Sequence, residues 1–250
     1  MSQSKADQVL NAEPVDANWI SLYKVSGGGV LIALGFYLSQ LLIIIFGEPY
    51  PTTTVDWFLM FQRSKLLGLF YLNALDMASI TLFSLIFLAL YVALKQFNQS
   101  FMAIAVMLAF LGSAVFIAPR TTTFSMISLS EQYAAATTEI QRAQILAIGD
   151  ALGALIQATP RTTGFLLIAV AVLIVSVVLL RSQIFGKLIA YVGILASVFI
   201  FALQLSVIIL PEIADPLMGL AMIFWMFWLL LIARILLQLG HPEKQFSSNR

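Results

Sequence analysis

The stretch LLGLFYLNALDMASITLFSLIFLALYVAL, Leu66 to Leu94, decides the fold class, because it is a long apolar run that carries a single charge. A helix that crosses a bilayer needs about 20 apolar residues, so this stretch is long enough to span one. The charged residue is Asp76, and Asn73 lies three positions earlier, on the same face of a helix. The run therefore predicts a membrane-spanning helix that carries both a carboxylate and an amide.

The composition of the whole chain supports the membrane assignment. Of its 250 residues, 61% are hydrophobic and 10% are charged, whereas soluble domains have about 45–50% apolar and about 25% charged residues. The net charge of +1 gives no basic surface for nucleic acid. The chain has no Cys, and its one His is His241 in the C-terminal tail, so neither a metal nor another cofactor is predicted.

The hydropathy pattern predicts an all-α integral membrane protein, a six-helix bundle in a single transmembrane domain at residues 25–239. The predicted spans are residues 25–46, 66–94, 101–118, 164–180, 186–210 and 217–239. Residues 1–24 and 240–250 are polar tails, and the N-terminal tail lacks the pattern of a signal peptide.

The distribution of basic residues predicts the orientation. Six spans place both termini on one side of the membrane. Eight of the 13 basic residues fall on that side, namely Lys5, Lys24, Lys95, Arg181, Lys187, Arg234, Lys244 and Arg250. Basic residues in short loops favour the cytoplasm, so we expect both termini to be cytoplasmic.

An additional amphipathic helix is predicted outside the membrane between spans 3 and 4, at residues 130–158. This segment is rich in Ala, Glu, Gln, Arg and Leu, which favour helices, and Ser130 is a candidate cap for its start. Two interpretations stay open. The helix lies on the bundle, or it forms a lid over an outward-facing cavity.

The position of Asp76 along its run places it in the outer half of the membrane. Counting from Leu66 puts it about 15 Å deep, whereas counting back about 20 residues from Leu94 puts it at the outer boundary. An ionised Asp costs roughly 2.5–3.5 kcal/mol at the centre of a spanning helix. We therefore expect Asp76 to be protonated, to meet a cation or to line a wet cavity.

Four basic residues at the predicted outer rim are candidate partners for Asp76: Arg63, Lys65, Arg120 and Arg161. Asn73 and Asp76 are thus candidates for binding a ligand or a proton. The alternative is a structural pair that bonds a neighbouring helix, for example at Gln40 or Gln204.

Two short stretches resemble each other, PRTTTF at residues 119–124 and PRTTGF at residues 160–165. Each lies at an outer membrane boundary, where Pro ends a helix and Thr starts one. In one interpretation, the two stretches are similar only because both lie at a membrane boundary, and they have no common function. The other is a paired site in which Arg120 and Arg161 face one anionic group.

Three segments of the chain together resemble an uncharacterised multi-pass family. They are the stretch from Leu66, the segment LSEQYAAATTEIQRAQILAIGDALGALIQA and the later LLRSQIFGKLIAYVGIL. This family is catalogued as domain of unknown function 4386, and a close sister family is the alternative. The resemblance implies a bacterial or archaeal plasma (inner) membrane protein with about six helices. It implies no catalytic residues.

Enzyme motifs such as HExxH and GxSxG are absent from the sequence. Two hypotheses about function remain. In the first, a polar pocket around Asp76 faces outward and binds or transports a small molecule or a lipid. In the second, the chain is a structural or accessory protein of the envelope or of a stress response, whose only predicted partner is the lipid bilayer.

Overall fold

A computed structural model describes residues 17–72, 74–159, 163–182 and 185–241, and in these ranges the chain is helical, without strands. The α-helices are α1 (Ile20–Phe46), α2 (Thr54–Arg63), α3 (Lys65–Tyr71), α4 (Ala74–Arg120), α5 (Thr123–Ala135), α6 (Glu139–Thr159), α7 (Phe165–Leu179), α8 (Lys187–Ile209) and α9 (Ala214–Gly240). Short 3₁₀ turns, Ala17–Trp19 and Pro211–Ile213, precede α1 and α9.

Four stretches of helix in the described ranges are long and apolar enough to cross a membrane. They are Ile20–Ile43, Ala74–Ala135, Lys187–Val207 and Pro211–Gly240, and Phe165–Leu179 is a shorter apolar helix. These helices indicate a membrane protein, as the composition predicted.

Helix α4 is continuous by hydrogen bonding but reverses direction at Asn98, whose backbone is not helical (φ −164°, ψ 91°). The Asn98 side chain accepts a hydrogen bond of 3.1 Å from the backbone N–H of Phe101, so it caps the second half of the helix. The two halves pack together, and Ser84 and Ser113 share a buried hydrogen bond of 2.9 Å between them. The reversal falls inside the turn predicted between Lys95 and Ser100.

The long apolar helices form a closed ring. Helix α1 packs against α4 and α9, α8 packs against α7 and α9, and α7 packs against α4. The ring has a continuous apolar core in which Trp228 is the largest fully buried side chain. Near one end of the ring, the Ser26 hydroxyl donates a hydrogen bond of 3.1 Å to the Leu85 carbonyl and fixes α1 against α4.

The remaining helices, α2, α3, α5 and α6, form a cap with a second apolar core. Its fully buried side chains include Phe58, Phe61, Met126 and Ile156. Helix α2 starts in a capping box, in which Thr53 and Asp56 bond each other's backbone N–H groups. The cap is therefore a packed unit on one end of the ring.

The cap corrects the prediction of one amphipathic helix at residues 130–158. The structure has α5 and α6 instead, separated by a break after Ala135. Ser130 lies inside α5 and donates a buried hydrogen bond of 2.8 Å to the Phe58 carbonyl, so it is not the predicted cap. The hydrogen bond from the Ser130 hydroxyl to the backbone of α2 holds α5 and α2 together. Nothing in the sequence around Ser130 indicates this contact.

The predicted span at residues 66–94 is also divided. Residues up to Tyr71 belong to α3 in the cap, Leu72 leaves the helical conformation (φ −87°, ψ 29°), and α4 begins at Ala74. Packing of Leu72 and Tyr71 in the cap core explains the division, because these side chains are buried beside α2 and α5. The other predicted spans differ from the helices by a few residues at their ends, and residues 1–16 and 242–250 of the tails lie outside the described residues.

Candidate functional site

A cavity of about 470 Å³ lies inside the ring at its cap end, and we call it the central cavity. All the long apolar helices contribute to its wall, and Ile156 of α6 contributes from the cap. Its polar lining residues are Tyr37, Gln40, Tyr50, Asp76, Arg120 and Gln204. The rest of the wall is aliphatic, aromatic or Met.

Asp76 lies in the first turn of α4 and is half-buried in the wall of this cavity. The N-terminus of a helix carries a partial positive charge that stabilises a carboxylate. The division of the apolar run at Leu72 is what creates this helix start. Asp76 is therefore at the end of a helix, and not in the middle of one as the unbroken run suggested.

Arg120 lies in the last turn of α4 and is 6% exposed. Its guanidinium carbon is 3.6 Å from the centroid of the Phe116 ring, and its Nη1 donates a hydrogen bond of 3.3 Å to the Phe116 carbonyl. A cation near a helix C-terminus and over an aromatic face is stabilised by both. The helix C-terminus and the Phe116 ring thus both stabilise the buried guanidinium of Arg120 beside the central cavity.

The structure separates the four candidate partners of Asp76. Arg63 pairs with Glu48 at 2.6 Å and Lys65 pairs with Glu131 at 2.5 Å, in exposed contacts of the cap region, and neither lines the central cavity. Arg120 shares the cavity with Asp76. Arg161 and the second ligand candidate, Asn73, lie outside the described residues.

Tyr37 is a cavity residue that the sequence argument missed. It lies within electrostatic range of both Asp76 and Arg120, and its ring stacks on Phe83 with 5.8 Å between centroids. Tyr37 and Gln40 are three residues apart in α1, so they share one helix face. That spacing of two polar groups in an apolar helix was the available signal.

Aromatic side chains in and behind the wall of the central cavity pack against one another. Phe83 meets Trp225 edge-on with 6.0 Å between centroids, and Trp225 lies 5.8 Å from Trp228. On another side, Phe116 and Phe165 meet edge-on at 5.1 Å. These packed rings position the cavity wall, because each is held by a neighbouring ring.

Helix α6 covers the cavity from the cap. Its Ile156 is fully buried and lines the central cavity. Gly149 packs so closely on α2 that an added Cβ would lie 2.5 Å from Thr54 and 2.8 Å from Phe58. The next residue, Asp150, accepts a hydrogen bond from the Thr54 hydroxyl. These contacts hold α6 against α2.

The arrangement is suited to binding. Ligand pockets are typically 300–1,000 Å³, mostly apolar, with a few converging polar groups. The central cavity matches this description, with one acid, one base and several amide and hydroxyl groups. Among the described residues, no three His, Cys, Asp or Glu side chains cluster in a way that could hold a metal ion.

Comparison with known proteins places the chain in a family. The family model described as Domain of unknown function (DUF4386) matches residues 28–233. No curated protein and no solved structure matches the chain. The match covers most of the sequence, with most of the ring, the cap and all residues that line the central cavity, and it confirms the resemblance seen in the sequence. The chain therefore belongs to the DUF4386 family, a family of unknown function.

Proposed function

We propose that this protein binds a small molecule in the central cavity and that Asp76 and Arg120 are the charged groups that hold it. The observation that carries the proposal is that both charged side chains line one cavity of about 470 Å³ with a largely apolar wall. Burying a charge in an apolar wall is costly, and transmembrane proteins keep such charges mainly at functional sites. The proposal assigns binding or transport and no chemical reaction.

The proposal includes a topology of six spans with both termini in the cytoplasm of a bacterial or archaeal inner membrane. The two halves of α4, residues 74–97 and 99–120, count as two spans. Helix α7, with its 15 residues, is the short fourth span. The cap then lies on the outer side, and the central cavity opens outward.

In this scheme α6 is the lid. It contributes Ile156 to the cavity, and its contacts with α2 at Gly149 and Asp150 are the ones that must part for the cavity to open to the outer aqueous side. Closure of a lid separates a bound molecule from water and strengthens its contacts with Asp76 and Arg120.

A thermal-shift screen of the purified protein against metabolites and lipids tests the proposal. A molecule that binds only the folded state raises the unfolding midpoint. We expect at least one compound to raise it reproducibly in the parent protein and to lose its effect in Asp76→Asn, which keeps the side-chain shape and removes the charge. Glu139→Gln is the matched control, because Glu139 is exposed at the start of α6 and does not line the cavity.

The outcome also distinguishes the alternative function. If Asp76→Asn changes the stability of the ligand-free protein and no compound shows an effect that depends on Asp76, the chain is a structural or accessory membrane protein. That result would refute binding in the central cavity.

A further inference from the structure

The cavity wall contributed by α9 consists largely of methionine. Met218, Met222 and Met226 line the central cavity at intervals of four residues, so they form one stripe along the helix, about 12 Å long. Methionine is flexible and polarisable, and it adapts to apolar ligands of different shape. With Trp225 beside it, the stripe is a surface for an elongated apolar group.

The methionine stripe also forms a side opening. Met218 is 41% exposed and Met222 is 49% exposed, although both line the cavity, whereas the cavity residues Ala221 and Trp225 are 5% and 9% exposed. Cavity residues that are half-exposed lie at its mouth. Both lie in the candidate span Pro211–Gly240, and Met222 is about 12 Å along α9 from Ala214. In the proposed topology, this opening lies at the depth of the acyl chains.

The charged groups lie at the cap end of the cavity, and the methionine stripe runs from that end, at Met218, down to Met226. Asp76 is in the first turn of α4 and Arg120 in its last turn, while Gln40 and Gln204 lie near the ends of α1 and α8. Since α4 reverses at Asn98, all four are at the cap end of the ring. The cavity thus has a polar end under the cap and an apolar side that opens towards the membrane.

We propose that the ligand of the central cavity is a membrane amphiphile with a zwitterionic head, in which an anionic group meets Arg120 and a cationic group meets Asp76. This inference rests on the proposed function and specifies its ligand class. The acyl part lies along the methionine stripe and enters from the bilayer beside Met222. A guanidinium matches phosphate and carboxylate oxygens in geometry, and the ammonium group of the same head is attracted by the carboxylate of Asp76.

A zwitterion fits better than the other head types for an electrostatic reason. A head with only a negative charge would be attracted by Arg120 and repelled by Asp76 within one cavity of low dielectric constant. An uncharged head offers no charged group to either side chain. Only a head that carries both signs is attracted by both side chains.

Thermal unfolding of the purified full chain in a non-ionic detergent tests the ligand class with four probes. These are dilauroyl phosphatidylethanolamine, dilauroyl phosphatidylglycerol, dilauroylglycerol and phosphoethanolamine without acyl chains. We expect a saturable rise of several degrees with the phosphatidylethanolamine and a clearly smaller rise with the other three. The rise is lost in Asp76→Asn and in Arg120→Gln.

A further pair of variants keeps the test valid if Arg120→Gln does not fold. Met222→Trp fills the mouth and leaves both charges in place, so we expect it to abolish the phosphatidylethanolamine effect. Ile223→Trp is the matched control, because Ile223 is adjacent, 64% exposed and not part of the cavity wall. It should respond as the parent does.

Each contrary outcome has its own meaning. If phosphoethanolamine or another soluble compound gives the Asp76-dependent rise without acyl chains, the ligand is water-soluble, and the inference fails while the proposed function stands. If phosphatidylglycerol or dilauroylglycerol acts as strongly, the zwitterionic head is wrong. If Met222→Trp leaves the effect unchanged, the entry route is wrong. If no probe or metabolite acts through Asp76, both proposals fail.

Discussion

Asp76 and Arg120 lie near opposite ends of one 47-residue helix, α4, and yet they line the same cavity. In a straight helix their separation of 44 residues along the chain would correspond to about 66 Å. The reversal at Asn98 folds the helix back on itself, and the hydrogen bond between Ser84 and Ser113 holds its two halves together. The candidate site therefore depends on a turn at the far end of the bundle.

The turn gives the first prediction. Asn98→Ala removes the cap on the second half of α4 and should lower the free energy of unfolding by about 1 kcal/mol, because a lost N-cap costs roughly 0.5–2 kcal/mol. Denaturant unfolding in detergent measures the change. Asn98→Asp keeps a capping oxygen and should be close to the parent, and Gln99→Ala, at an exposed neighbouring position, is the control. Equal stability of Asn98→Ala and the parent would show that the cap is not needed.

The second prediction concerns the contact of α4 with α7. An added Cβ at Gly112 would lie 2.8 Å from the Gly164 carbonyl oxygen and 2.9 Å from the Ile168 side chain. Gly112→Ala should therefore destabilise the protein by about 1–3 kcal/mol through overpacking. It should also move Phe116, which lies one turn further on and supports Arg120.

Gly35→Ala is the matched control for Gly112→Ala, since nothing lies within 4 Å of an added Cβ at Gly35 in α1. Replacing an unhindered helical glycine by alanine is expected to be neutral or to stabilise by roughly 0.5–1 kcal/mol. Comparison of the unfolding midpoints of the two variants shows whether the loss of stability in Gly112→Ala comes from the close contact with α7. If the two variants lose the same stability, the α4–α7 contact is not as close as described.

The third prediction is a pH dependence of the cap. Hydrogen bonds from the side chain and backbone of Thr53 hold the pKa of Asp56 below its usual range. A carboxyl with a lowered folded-state pKa stabilises the fold fully above the unfolded value of about 3.9, and its contribution is lost as the pH falls through the folded pKa. We therefore expect α2 to loosen in acid, below about pH 4.

Fluorescence of Trp57, which is buried in the cap at 6% exposure, reports this loosening in a titration from about pH 5 down to about pH 2. Thr53→Ala removes the side-chain half of the capping box and should reduce the acid-dependent change. A titration curve that is identical in the parent and in Thr53→Ala would contradict the role of the box.

The fourth prediction concerns the proposed topology. The chain has no Cys, so a single introduced thiol can be labelled without background. Thr137→Cys, at an exposed position between α5 and α6, should react with a membrane-impermeant reagent in intact cells. Ser100→Cys, at an exposed position beside the turn of α4, should react only after permeabilisation. The opposite pattern would invert the orientation, and labelling of both sites in intact cells would contradict the six-span arrangement.

The sequence predicted what depends on hydropathy and on short-range helix geometry. It predicted a helical membrane protein and the turn that contains Asn98. It also placed Asp76 at the same end of the bundle as Arg120, because charge and run length determine which end of a span a residue occupies. These predictions required no knowledge of how the helices pack.

What the sequence did not reveal depends on tertiary packing. The apolar run continues through Leu72, and only burial of Tyr71 and Leu72 in the cap core divides it. Of the candidate partners, Arg120 shares the cavity with Asp76. Arg63 and Lys65 instead pair with Glu48 and Glu131, and these contacts depend on how the chain packs. The methionine stripe of α9 resembles ordinary core spacing until the cavity beside it is known.

Analysis of small molecules that purify with the protein shows directly whether the central cavity holds a ligand. The parent protein and variants are isolated in the same detergent, denatured and extracted, and the extracts are compared by mass spectrometry. We expect a molecule that is retained by the parent and by Ile223→Trp and is lost from Asp76→Asn and Met222→Trp. Extracts that are the same for all four proteins would contradict binding in the cavity between Asp76 and Arg120.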